Sequence, residues 1–202
     1  VYLAPAQEIL SNINTALEEA LTTISEECAD VKDSTSVQEA VDSVKTMITE
    51  LTNAITAAYE DETLASDYDN IVAPQEEIMA AIAALIDTAK QAQADYETEQ
   101  ALNAAYAQAT EMVDSLNKIL TDSVAIIAQT CPDVKETEEV LTAKAAIETQ
   151  IAALSEAIEA AKADGSLTAE LENVLAPKDE IAAAIAALVE TAKKAQAEIG
   201  RA

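Results

Sequence analysis

The chain has 202 residues, half of them apolar, and 38 acidic side chains against 11 basic ones give a formal net charge of -27. There is no His, Trp or Phe, and Gly occurs only at Gly165 and Gly200, so a His base, a His metal ligand, a Ser-His triad and a Gly-rich phosphate loop are excluded. So acidic a surface repels nucleic acid and anionic headgroups, and no apolar run approaches the ~20 residues needed to span a bilayer.

From the N-terminus, Leu10, Ile13, Leu17, Ile24, Cys28 and Val31 lie on one stripe of helical period. Val37, Val41, Val44, Ile48, Leu51, Ile55 and Ala58 then follow strict 4-3 spacing, the coiled-coil-like pattern of a helix that needs partner helices. Ser36-Val-Gln-Glu39 reads as a capping box for this second helix, with Ser34 as the alternative cap. After the acidic stretch Glu60 to Asn70, Pro74 opens a third helix whose first turn carries Glu76 and Glu77, the favoured charges at a positive helix end. Its seam is Ile78, Ile82, Leu85, Ala89, Ala92 and Tyr96.

Between Pro74 and Cys131 there is neither Pro nor Gly, so this third helix is predicted to run on through a polar stretch at residues 97–100 and resume its seam at Leu102 and Tyr106. By helix rise it would measure ~85 Å. The alternative is a break near residues 97–103, with the halves packed side by side. Val113, Leu116, Leu120, Val124 and Ile127 continue the stripe, and Pro132 closes it. Val140, Ile147, Ile151, Leu154 and Ile158 form the next helix, Asp164-Gly165-Ser166 breaks the chain, and Pro177 opens a last helix with the seam Ile181, Ile185, Leu188, Ala192, Ala195 and Ile199.

These elements are one pattern written twice. A shift of 103 places residues 73–96 on 176–199 with 16 of 24 positions identical, and it brings Cys28 onto Cys131 and Asp30-Val31-Lys32 onto Asp133-Val134-Lys135. Two domains follow, residues 1–99 and 100–202, each of three helices of ~25 residues. The fold class is all-α: two tandem three-helix bundles sharing a long central helix. In length, helix count and shared connecting helix the layout resembles the spectrin-like tandem repeat. Spectrin-type repeats usually carry a Trp in the first helix, which is missing here, and the resemblance assigns no functional residue.

Several groups invite a chemical reading. Cys28 and Cys131 sit on core stripes and read as buried small hydrophobes, with a reactive thiol or disulfide as the alternative. In an end-to-end arrangement they would lie too far apart for a disulfide. Glu60, Asp61, Glu62, Asp67, Asp69 and Asn70 offer only oxygen ligands, which suit Ca²⁺, yet their spacing is not that of an EF-hand, and the second copy keeps only Asp164, Glu170, Glu172 and Asn173. Paired carboxylates such as Glu18/Glu19 and Glu76/Glu77 fall on helix surfaces or first turns. Tyr96 and Tyr106 flank the junction and could line a contact surface.

No catalytic, cofactor-binding or metal site is expected, and the chain reads as a non-enzyme. The expected function is a structural or interaction module, a spacer or adhesive segment of a surface or secreted protein, hence extracellular or cell-surface. An unknown protein partner, a monomeric state, no nucleic acid and no insertion into membrane complete the reading. The alternative is a carrier of a hydrophobic ligand such as a lipid, which the abundance of Ala opposes because Ala lets helices approach closely.

Overall fold

Aliphatic stripes of helical period separated by Pro, Gly and short polar runs leave the backbone one economical solution, and the chain adopts it. The computed structural model describes residues 2–200 and is all-α, with no strand among the described residues. In chain order the helices are α1 (Leu3–Glu27), α2 (Thr35–Glu60), α3 (Tyr68–Val72), α4 (Gln75–Thr130), α5 (Glu138–Ala163), α6 (Leu167–Val174) and α7 (Lys178–Ile199). No helix is long and apolar enough to cross a membrane among the described residues.

Helix α4 is a single element of 56 residues. No break occurs at 97–103. Residues 94–101 bury nothing, so local forces alone must hold them helical. There is no Pro or Gly to interrupt them, and side-chain bonds one turn apart support them: Gln91 Nε2 donates to Asp95 at 2.8 Å, Gln93 Nε2 to Glu97 at 2.9 Å, and Thr98 Oγ1 to the Ala94 carbonyl at 2.8 Å.

The chain divides into two compact units, Val1–Thr98 and Glu99–Ala202. Each has its own aliphatic core. The first gathers Ile13, Leu17 and Ile24 of α1, the whole α2 stripe from Val37 to Ile55, and Ile78, Ile82, Leu85 and Ala89 from the start of α4. The second gathers Leu116, Leu120 and Ile127 from the end of α4, Ile147, Ile151, Leu154 and Ile158 of α5, and Ile181, Ile185, Leu188 and Ala192 of α7. Charge is confined to outward faces as the stripes require, and among the described residues only Lys144, Lys162 and Lys178 are partly buried.

The structure departs from the sequence reading in three places. Each unit holds a short additional helix, α3 or α6, in what reads as a plain loop. These segments are anchored by apolar side chains outside the long stripes: Val72 in the first core, Leu167 and Leu175 in the second, and Leu64, which is also buried. The seams of α4 and α7 end one turn early, since Tyr96 and Ile199, equivalent at the shift of 103, are both exposed. Finally, the N-cap of α2 is Ser34, in extended conformation, with no side-chain cap bond; its hydroxyl meets that of Ser36 at 3.3 Å, so the capping box at Ser36 does not form. Thr137 caps α5 with the same backbone geometry.

Candidate functional site

The two cysteines close matching loops. Cys28 and Cys131 are each about 1% exposed, at the ends of α1 and α4, and both thiols are free. The amide of Cys28 donates to the Ile24 carbonyl at 2.9 Å and that of Cys131 to the Ile127 carbonyl at 2.8 Å. The Cys carbonyls then accept from Val31 and Val134. Position and burial make them core residues that seal a helix end; Cys131 Sγ has one polar neighbour, Thr130 Oγ1 at 3.4 Å.

Behind each cysteine the loop is pinned to the last long helix of its unit, α4 or α7, by a side-chain latch that the sequence reading missed. Gln93 Nε2 donates to Asp30 Oδ2 at 2.9 Å. Its equivalent Gln196 Nε2 donates to Asp133 Oδ2 at 2.6 Å, and Gln196 Oε1 accepts the Asp133 amide at 3.0 Å. The first copy lacks that second bond, and Gln93 Oε1 is buried without a partner. Beside the first latch Lys90 pairs with Glu27 at 3.0 Å, which raises the Lys90 pKa above its ordinary value through that hydrogen bond and charge. Thr130 replaces Glu27 in the second copy, and Lys193 turns to Glu190 at 3.0 Å instead.

The acidic stretch after α2 builds no ligand shell. Asn70 donates to the Asp67 carboxylate, and no group of three or more Cys, Asp or Glu positioned to hold a metal occurs among the described residues. Glu62 there has a positive φ of 59°, matched by Gly165 at 79°. In the second copy, hydrogen bonds from the side chain and amide of Ser166 hold the Asp164 carboxyl below its usual range. Glu18, Glu19, Glu76 and Glu77 are exposed on their helices. Tyr106 is half-buried within the second unit. Its hydroxyl meets Glu159, a bond that raises its pKa, and Lys162 Nζ stands 3.4 Å over its ring. Tyr96 has no part in that cluster.

The surface feature with most chemical character is a groove of about 210 Å³ between the end of α4, the following loop and α5. Val124, Ile127, Val140 and Leu188 make its apolar floor, and Leu141, Lys135 and Lys144 line it too. Lys144, partly buried, pairs with the exposed Glu148 at 3.2 Å. A second apolar groove of about 210 Å³ lies between α5, α6 and α7 around Ala153, Ala157, Val174 and Pro177. The first was legible in principle: aligning the copies at 103 shows Lys144 interrupting the α5 stripe where α2 has Val41, a residue passed over when the stripe is read alone.

Comparison with protein-family models, curated proteins and solved structures finds no match.

Proposed function

We propose that the chain is a non-enzymatic interaction module, a spacer or adhesive segment of a surface or secreted protein that meets a protein partner. One observation carries this reading. Two units with separate cores share α4, which leaves the first core after Ala89, crosses 94–101 as exposed helix, and enters the second core at Ala105. Two copies of one unit, each with its own core and joined in series within one chain, suit a repeat-built spacer. The net charge of -27 adds solubility and disfavours nucleic acid and anionic lipid as partners.

The carrier reading draws less support. Both cores are filled by interdigitating aliphatics and Ala; the grooves beside Leu188 and Pro177 hold about 210 Å³ each, short of the ~300 Å³ at which ligand pockets begin, and a larger depression of about 610 Å³ beside Glu138 and Ala146 is a shallow surface open to water.

Treating intact source cells and their medium with a membrane-impermeant, amine-reactive cross-linker tests the proposal. The expected result is lysine modification before lysis, with the chain joined to a second polypeptide. Modification only after lysis would overturn the surface or secreted assignment. A stoichiometric lipid retained in native mass spectrometry would place the carrier reading first.

A further inference from the structure

The first unit shows what this repeat needs in order to fold, and the second departs from it at one place. Gln38 of α2 donates from Nε2 to the Lys32 carbonyl at 2.8 Å, strapping the loop to the helix, and Val41 one turn on is buried at 4% exposure. At the equivalent positions the second unit carries Leu141, 49% exposed, and Lys144, a charge where a buried valine would serve. Leu21 is likewise replaced by the smaller Val124. An exposed leucine gains nothing from the hydrophobic effect, and a lysine breaks the stripe. All three changes border the same groove. Positions that violate local folding rules together, in one place, are where function is expected.

Resting on the interaction-module reading, we propose that the groove framed by Leu141 and Lys144 is the docking site for a partner peptide segment that inserts one large apolar side chain flanked by a carboxylate. Size argues for a side chain: about 210 Å³ is room for roughly seven water-sized atoms at ~30 Å³ each, the scale of one Leu, Met or Phe side chain. Charge argues for the flanking carboxylate. In a chain with 11 basic residues, two lysines, Lys135 and Lys144, line one apolar floor. Glu136 lines it as well, so the rim is mixed, and the carboxylate's place is on Lys144, displacing Glu148. That exchange costs little, because the Lys144–Glu148 pair reaches solvent on both sides, at 38% and 52% side-chain exposure, and such pairs are weak.

The test is selection of a displayed random-peptide library on the full chain, followed by binding of the enriched peptides to a Leu141→Gln, Lys144→Val double variant that restores the residues of the first unit. Enriched sequences with a large apolar residue beside Asp or Glu, bound at least about tenfold more weakly by the double variant, support the proposal. No enrichment, or enriched peptides that bind both proteins equally, overturn it; in the latter case the interaction-module reading stands and only this site falls. Saturable binding of decanoate that the double variant loses, with no peptide enriched, overturns it in favour of a small amphiphile. A thermal melt of the double variant checks the premise: a melting temperature at or above that of the parent is expected, and a fall of more than about 3 °C would show that Leu141 and Lys144 serve folding after all.

Discussion

Glu62 and Gly165 hold the same place in their units, one residue past the helix cap, and both adopt left-handed backbone. In each case the amide bonds back into the last turn, to the carbonyls of Tyr59 and Lys162. In the first unit the next amide, Thr63, also reaches the Ala58 carbonyl at 2.9 Å, completing a Schellman closure. One copy meets the requirement with glycine and the other accepts strain. The same holds for the latches, with one bond between Gln93 and Asp30 but two between Gln196 and Asp133, and for the lysines beside them. Apart from Val41, which becomes Lys144, the long core stripes do not drift this way: Ile13, Leu17 and Ile24 are matched by Leu116, Leu120 and Ile127, all buried. Burial tolerates little change in volume or pattern, whereas an exposed cap or latch contributes little enough to wander.

The largest expected effects test whether the groove loosens the second core. Leu85 and Leu188 are equivalent and nearly inaccessible. Truncation of either to Ala should cost about 2–5 kcal/mol. Leu188→Ala should be the cheaper, because Leu188 borders the groove and the space it vacates is continuous with an existing opening. Denaturant unfolding of the two variants measures this, with amide exchange assigning each loss to its unit. Equal costs would mean that the groove gives the second core no slack.

Next come the cysteines. Cys28→Ser buries a hydroxyl and should cost about 1–3 kcal/mol. Cys131→Ser should cost less, since Thr130 Oγ1 is already within 3.4 Å as a partner. Each Cys→Ala should be milder than the corresponding Ser, and both thiols should label slowly in the native protein. Rapid labelling of either would show that its helix end opens readily.

The left-handed positions should respond in opposite directions. Glu62→Gly relieves strain and should stabilise by about 1 kcal/mol. Gly165→Ala should destabilise by about the same amount through strain alone, because a Cβ there meets open space. In a chain of this size each should appear as a shift of about 2–4 °C in melting temperature. Two shifts of the same sign would break the equivalence of the loops.

The smallest effect is at the latches. Gln196→Ala removes two hydrogen bonds to Asp133 and should cost up to about 1 kcal/mol. Gln93→Ala removes one bond to Asp30 and an exposed one to Glu97 within α4, together with an unsatisfied buried oxygen, and should cost less. Amide exchange at residues 28–34 and 131–137 reads this out locally, and faster exchange in the Gln93 variant than in the Gln196 variant would reverse the ranking of the latches.

The stripes, the prolines and the 103-residue shift are properties of the sequence by itself, and they determine that the chain is all-α and where its long helices lie; they favour an unbroken α4, but the alternative of a break near 97–103 was closed only by the structure. A helix needs only a periodic apolar face and the absence of breakers, and both are written locally. Tertiary structure alone decided the rest. Tyr96 and Ile199 continue a perfect seam yet emerge into solvent, because burial requires a neighbouring helix to cover them and the pattern cannot say where that cover ends. Val72, Leu167 and Leu175 lie off every stripe yet are buried, because loops fold inward wherever a core has room. Leu141 and Lys144 acquire meaning only when α4, α5 and α7 bring an apolar floor beneath them. A groove belongs to several segments at once, and no one of them contains it.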